Sequence, residues 1–255
     1  AVTSSDEVNI VACQICYSMF RTPTKIARIR SSAYLNQNAL FDKHHVPIDR
    51  LINPEQVVTE QITELLSHPG ALEVLDFADG RAQLVAMRAY LGGPLVDQAL
   101  SFLSEHMPSV DTRVAAIFRR GQPIIPSGDT VIETDDEVFF IAAREHITAV
   151  MGELRKAEKP FRRVIIAGGG NIGARLAAAT EDNYDVRIME LNPQRAQNLA
   201  DQLSSAVVIN GGATDRELLL EENIDQCDAF CAVTDDDEIN VMSSLMAKRL
   251  GVRQV

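Results

Sequence analysis

The chain opens with Ala1-Val2-Thr3-Ser4-Ser5-Asp6-Glu7-Val8-Asn9-Ile10, and the pattern returns as Ala232-Val233-Thr234-Asp235-Asp236-Asp237-Glu238-Ile239-Asn240-Val241. Six of these ten positions are identical in one register. A repeat of such long period points to two copies of one domain, not to an array of short units. The second occurrence follows a glycine-rich loop, Gly168-Gly169-Gly170-Asn171-Ile172-Gly173, by about sixty residues. No such loop precedes the first occurrence. The expectation is that the first copy has lost its beginning and the second its end. The chain then reads as an internal piece of a longer protein, and the absence of an initiator Met agrees.

At 255 residues and 46% hydrophobic, the chain can bury an ordinary core and is long enough for about two domains. No apolar run approaches the ~20 residues that a membrane span needs. No basic segment leads into an apolar one near Ala1, so no signal peptide is expected in this piece. A net charge of -12 argues against direct contact with nucleic acid or with anionic lipid headgroups. Membrane association would have to run through a protein partner.

The four cysteines invite two sharper readings. Cys13-Gln14-Ile15-Cys16 has redox spacing, but a reactive pair belongs at a helix N-terminus, and these sit two turns into a helix starting near Ser5. Packing on a helix face is the better reading. Adding Cys227 and Cys231 would make four zinc ligands, but those two flank and enter a buried strand. Neither metal nor catalytic residues are expected, and the compartment reads as reducing and cytosolic.

Residues 1–67 read as the back half of an alternating α/β domain. A strand remnant ends at Thr3, a helix follows, and strands are predicted over Lys25 to Arg30 and Val46 to Ile52, with a short helix from Ala33 to Phe41 between them. Asn53-Pro54 caps a helix whose apolar face is Val57, Val58, Ile62, Leu65 and Leu66. Residues 71–156 change character. Leu72 to Phe77 and Arg81 to Met87 form a hairpin across Asp79-Gly80. A helix is predicted from Val96 to His106, strands from Thr112 to Phe118 and Glu137 to Ala143, and a closing helix from His146 to Lys156. This is a small α+β domain, joined by a linker over Ala157 to Arg162. Residues 162–255 alternate strand and helix from the start, the order of a doubly wound, Rossmann-like parallel sheet. The fold class is therefore α/β, with two partial nucleotide-domain copies around an α+β domain.

The glycine loop has the context such a motif needs. Val164-Ile165-Ile166-Ala167 leads into Gly168 as a buried strand, and an alanine-rich helix begins at Ile172. Gly168 permits the tight turn, Gly170 lets backbone approach a pyrophosphate, and Gly173 lets the helix crowd the strand. N–H groups of Asn171 and Ile172 lie at the helix start, where phosphate binds. Glu190 ends the second strand, twenty-two residues after Gly168, where a carboxylate accepts ribose hydroxyls and repels a 2'-phosphate. This points to NAD(H), or another adenosine ribose without a 2'-phosphate such as ATP or ADP. Arg195 can reach a phosphate, lie over adenine, or be a plain surface residue. Asn210-Gly211-Gly212-Ala213 follows the third strand, and Thr234 and Asp235 end the fourth on the same edge. The run Asp235 to Glu238 suits a helix N-terminus better than a metal.

Together the glycine loop, Glu190, Gly211-Gly212-Ala213, Ala232 to Glu238, Ala27 to Arg30 and Asp129-Thr130-Val131-Ile132-Glu133 resemble the regulator-of-potassium-conductance (RCK/KTN) family, in its branch serving Trk-type potassium uptake. The resemblance covers essentially the whole chain. One departure is Gly212, where the family usually has Asp, and it puts a ligand contact there in doubt. The resemblance implies nucleotide-binding domains each followed by a regulatory domain, in a ring-like homo-oligomer beneath a membrane potassium transporter subunit of the TrkH/TrkG type. It places the protein in the cytoplasm, peripheral to the inner face of the bacterial plasma membrane. By matching position it assigns Thr3, Ser4, Asp6, Arg28 and Arg30 to the first, incomplete nucleotide site. The function implied is nucleotide sensing without catalysis. The alternatives are an NAD-dependent oxidoreductase, which needs an acid or base that His106, His146 and the pair His44-His45 do not obviously supply, or a scaffold with vestigial sites.

Overall fold

The computed structural model describes residues 1–35, 38–41, 45–155 and 159–255. They form two compact units, Ala1–Glu60 and Gln61–Val255. The division falls inside one helix.

In the first unit, helix α1 (Asp6–Phe20) is capped by Ser5, whose hydroxyl accepts from Val8 N. Strand β1 (Ile26–Arg28) follows, then helix α2 (Ser32–Leu35), a 3-10 turn over Asn38–Phe41, and strand β2 (Arg50–Ile52), parallel to β1. Both strands are shorter than predicted. Asp49 N and Arg50 N both bond to Lys25 O, while Ile48 N bonds back to Val46 O, so residues 46–49 approach the sheet as a turn. The predicted strand remnant before Thr3 is not a strand of the sheet, but Arg28 N still donates to Ala1 O at 2.9 Å. Residues 36 and 37 of the helix predicted to Phe41 lie outside the described residues, as does His44; His45 is exposed. Helix α3 (Pro54–Ser67) begins as predicted, with Asn53 Oδ1 accepting from Gln56 N at 3.2 Å.

The middle of the chain forms one antiparallel sheet in the order β3-β4-β7-β5-β6. Strands β3 (Ala71–Phe77) and β4 (Ala82–Arg88) are the expected hairpin. Its turn is longer than two residues, with Ala78, Asp79 and Gly80 all in the left-handed region. The helix predicted from Val96 shrinks to α4 (Ser101–His106). Asp97 has φ +64°, and Val96 and Ala99 bridge to Ile132 and Val131, which breaks the helical ladder. Strand β5 (Thr112–Arg119) turns at Arg120-Gly121, both at positive φ, into a strand absent from the sequence reading, β6 (Gln122–Ile124). Pro123, which has no N–H to donate, is tolerated in it because β6 is the sheet edge. Strand β7 (Glu137–Ala143) falls where predicted.

The predicted closing helix is also shorter: a 3-10 turn over Arg144–His146 and then α5 (Ile147–Gly152). The carbonyls beyond it are taken elsewhere, Glu153 O by Leu95 N and Leu154 O by Tyr90 N. Residues 156–158, the expected helix end and linker start, lie outside the described residues. The core of this sheet is Met87, Leu95, Ile117, Ile132, Phe140, Ile147 and Leu154. Buried Asp136 binds Arg119 through Nε and Nη2, both at 2.8 Å, and this holds the guanidinium above its ordinary pKa.

From Arg163 the alternation is as read: β8 (Arg163–Ala167), α6 (Asn171–Thr180), β9 (Asp185–Glu190), α7 (Pro193–Gln202), β10 (Val207–Asn210), α8 (Arg216–Glu221), β11 (Ala229–Ala232) and α9 (Asp237–Arg249). The sheet is wholly parallel, in the order β10-β9-β8-β11. Buried Ile166, Val164, Leu176 and Ile188 fill one face, with Leu66 of α3 packed into the same cluster. Ile165, Met189, Phe230 and Ala247 fill the other. Beyond α9, Gln254 makes an isolated parallel bridge to Ala229.

The internal repeat is visible as one hydrogen-bond motif built twice. Thr3 N and Thr3 Oγ1 donate to Asn9 Oδ1 at 2.8 and 2.9 Å, and Asn9 Nδ2 donates to Thr3 O at 3.1 Å. Thr234 and Asn240 repeat these bonds at 2.9, 2.8 and 3.0 Å. Asn9 is fully buried and adds a bond to Arg28 O. Asn9→Ala should therefore cost about 1–3 kcal/mol, the size of a buried bonded group lost. Amide hydrogen exchange should quicken along α1 and stay unchanged along α9. Asn240→Ala should produce the opposite pattern.

Candidate functional site

A cavity of about 680 Å³ opens at the carboxyl edge of the parallel sheet. Its floor is the glycine loop, which the tight geometry explains residue by residue. Gly168 has φ +109°, and a Cβ there would stand 2.9 Å from the Thr234 backbone. A Cβ on Gly169 would reach Leu199 Cδ1 at 2.5 Å and Glu190 Oε2 at 2.8 Å. One on Gly173 would collide with Gly168 O, so this glycine lets α6 pack on the turn. Gly170 is different: a Cβ there meets nothing within 4 Å, because it faces the cavity.

The helices of this domain start in two ways. Asn192, Asp215 and Asp236 cap α7, α8 and α9 with side-chain oxygens. Helix α6 has Gly170 at its cap and no side chain bonded there. Its first N–H groups, from Asn171 onward, have no acceptor within the helix, and they carry the positive end of its dipole. Asn171 lines the cavity; the adjoining Ile172 is half-buried and is not among the lining residues.

Glu190 is only 6% exposed. Its Oε2 accepts from Gly169 N at 3.0 Å and its Oε1 from Asn192 N at 2.7 Å. Arg195 Nη1 lies 3.5 Å from Oε2, on the cavity wall. Sequence reasoning assigned Glu190 to a ligand and missed that it also braces the glycine loop. Each carboxylate oxygen still has capacity to accept again. Gly211, Gly212 and Ala213 line the wall beyond β10. A Cβ on Gly211 would collide with Leu218, whereas at Gly212 the nearest atom, Leu191 Cδ1, is 3.9 Å away. Thr234 and Asp235 line the opposite end, after β11. Leu199, Asn198 and Gln202 of α7 complete the wall without having been anticipated; the only signal was their place on the helix after Glu190.

In the first unit Arg28 Nη2 donates to Thr3 O, and Asp6 Oδ2 accepts from Arg30 N and Ser31 N at 2.9 and 2.8 Å. Arg30 Nε stands 3.4 Å from Glu55. Ser4 is exposed beside them. The structure thus brings Thr3, Ser4, Asp6, Arg28 and Arg30 to one loop edge.

Burial pushes the Cys227 thiol up to about 11 and the Cys231 thiol to about 12. Both stay protonated at neutral pH, which suits packing and not metal ligation. Among the described residues no group of three or more His, Cys, Asp or Glu side chains is placed to hold a metal.

Residues 164–255 match the TrkA-N domain family and residues 84–155 the TrkA-C domain family. The chain aligns over its whole length with the Trk system potassium uptake protein TrkA of Halomonas elongata at 61% identity, covering 56% of that protein. The corresponding protein of Vibrio alginolyticus is 55% identical, again with 100% of this chain and 56% of the relative covered. The chain thus spans little more than half the length of these relatives. Among solved structures, the GsuK RCK domain superimposes with a TM-score of 0.64 at 17% identity, covering 100% of this chain and 58% of the other. The GsuK channel bound to NAD gives 0.63 at 16%, covering 100% and 48%. At such identity the likeness establishes the fold.

Two glycines separate folding from pocket. Gly173→Ala should lower thermal stability, since Gly168 O must move, whereas Gly170→Ala should leave the melting temperature nearly unchanged; thermal scans of both variants check this. In the folded protein, iodoacetamide at pH 8 should leave Cys227 and Cys231 unlabelled, and denaturant should expose both, as read by mass spectrometry.

Proposed function

We propose that this chain, which matches the TrkA-C and TrkA-N domain families over residues 84–155 and 164–255, is a non-catalytic, nucleotide-sensing part of a Trk-type potassium uptake regulator. Residues 1–67 serve as the end of a first nucleotide domain, 71–156 as a regulatory domain and 162–255 as a second nucleotide domain. The ligand is NAD(H), with ATP or ADP as adenine nucleotides sharing the same ribose.

The observation that carries this reading is the uncapped start of α6 facing a cavity whose other landmark is a buried carboxylate. The residues fit a dinucleotide. Gly170 offers backbone without a side chain in the way, and the N–H groups of Asn171 and Ile172 suit a pyrophosphate. Glu190 accepts from ribose hydroxyls. Arg195 is placed for a phosphate or the adenine, and Gly211, Gly212 and Ala213 leave room for the base. Thr234 and Asp235 border the far end. The GsuK channel, whose fold this chain shares, is a protein described with NAD bound.

Among the described residues, the cavity's charged lining is Glu190, Arg195 and Asp235, with no histidine, lysine or tyrosine. That favours sensing over hydride-transfer chemistry, which needs a proton donor or acceptor beside the nicotinamide. Regulation requires only that the ligand bind two states with different affinity. The state is passed, in this reading, through a homo-oligomer to a membrane potassium transporter subunit of the TrkH/TrkG type. The protein then works in the cytoplasm, at the inner face of the membrane through that partner. The first-unit residues Thr3, Ser4, Asp6, Arg28 and Arg30 contribute to a second site of the same kind.

Isothermal titration tests the ligand assignment. NADH should bind, and NADPH should bind about tenfold or more weakly, since Glu190 repels a 2'-phosphate. Equal affinity for the two would remove the ribose role from Glu190. Identification of the nucleotide that co-purifies, by mass spectrometry, distinguishes NAD(H) from ATP or ADP.

A further inference from the structure

The loop after β10 holds two glycines, and the fold needs only one of them. A Cβ on Gly211 would stand 2.2 Å from Leu218 Cδ2. Gly212 is under no such demand. A Cβ there would meet only Leu191 Cδ1, at 3.9 Å, and its φ is not in the left-handed region. Other residues fit at position 212, beside Leu191 on the cavity wall.

What lies at this end of the cavity follows from the order of the sheet, β10-β9-β8-β11. With phosphate at the start of α6, after β8, and ribose at Glu190, after β9, the base of a nucleotide continues to the end of β10. Leu191 and Ala213 line that end and offer apolar surface, which contacts the flat of any base alike. Bases are told apart by their edges. Adenine carries an amino donor at its six position, where guanine and hypoxanthine carry a carbonyl acceptor.

Among the described residues, this wall holds no side chain that sorts those edges. Thr214 is the polar side chain of the loop that lines the cavity, and a hydroxyl both donates and accepts. Leu191 O and Gly212 O could call for an amino group, but they already accept from Asn210 Nδ2 at 3.2 Å and from Asp215 N at 3.1 Å. Asn198 and Gln202 line the cavity from α7, which runs back from the carboxyl edge. They stand about 9 and 15 Å along that helix from its cap at Asn192. Asp235 follows β11, at the opposite side of the sheet.

We infer that this cavity takes purine nucleotides without regard to the six position of the base, and that the bare backbone at Gly212 is what leaves the base unread. The inference rests on the reading of the cavity as a nucleotide site. A wall with no buried polar side chain to leave unpaired rejects the other base only weakly.

The experiment is a calorimetric titration of the whole chain with ADP, inosine diphosphate and GDP, for the wild type, Gly212→Asp and Gly212→Ala. ADP and inosine diphosphate differ at the six position, so their ratio reads the base edge alone. The wild type should bind all three within about threefold of one another. Gly212→Asp supplies a carboxylate that accepts from the amino group and repels the carbonyl, and it should favour ADP by about tenfold. Gly212→Ala should keep the wild-type ratio, which separates charge from bulk. Three outcomes would overturn the inference alone: a wild-type preference well beyond threefold, a ratio unmoved in Gly212→Asp, or a ratio moved as far by Gly212→Ala. Loss of all three ligands by Gly212→Asp at an unchanged melting temperature would also overturn it, because phosphate and not base would then lie beside position 212. Failure of the wild type to bind any of the three would overturn the nucleotide reading together with this one.

Discussion

Everything at the candidate site depends on one close backbone approach, that of the Gly168 turn to its neighbours. Gly168 N donates to Met189 O at 2.9 Å, and its Cα sits against the Thr234 backbone. Gly173 lies so near Gly168 O that no side chain fits between them. Three strand ends and one helix start are thereby drawn to a single point. The cavity is the space left above them, and its polar edges are the groups those ends carry. Glu190 secures the arrangement from the side by accepting from Gly169 N, so the buried carboxylate of the cavity also holds the glycine loop. The Glu190 carboxylate and the loop geometry cannot then vary independently.

The duplicated Thr–Asn motif plays the corresponding part at the start of α1 and α9. In each copy a threonine and an asparagine six residues on close a small ring of bonds that fixes how the chain leaves a strand and enters a helix. The motif tolerates serine or aspartate at its second position, because that side chain takes no part in the ring. Positions free of structural duty are where two copies of one fold can diverge in charge. The pair Ser4 and Asp235 is such a divergence.

Between the two copies, the antiparallel domain is tied down by charge as well as by its apolar core. Arg144 bridges Glu64 of α3 and Asp76 of β3 at 2.7 and 3.3 Å, while Gln83 Nε2 bonds Asp76 at 2.9 Å. The buried Asp136 anchors Arg119 across the turn that precedes β7. Breaking one half of such a buried pair costs far more than the pair contributes, since it strands a charge away from water. The end of α3 also joins the apolar cluster beneath β8, through Leu66. One helix end thus packs on elements of both the antiparallel and the parallel sheets.

The sequence alone determined the regular parts of this protein. The parallel domain was legible strand by strand, because continuous apolar runs, a glycine turn and alanine-rich helices are local signals that need no tertiary information. The hairpin at Asp79-Gly80, the strand over Glu137 to Ala143 and the start of α3 at Asn53-Pro54 were legible for the same reason. What only the tertiary structure decided is where backbone groups found competing partners. The helices expected from Val96 and to Lys156 are short because Ile132, Tyr90 and Leu95 claim the groups a longer helix would use, and those residues are distant in sequence. Strand β6 holds Pro123, whose missing N–H is harmless only because the strand is at the sheet edge, a place that sequence does not give. Spacing could nominate residues for the cavity, but not their partners. That Glu190 already holds two N–H groups, while Asp235 holds none among the described residues, follows from how three strand ends meet. A carboxylate's partners are set by distance in space, which periodicity along the chain does not encode.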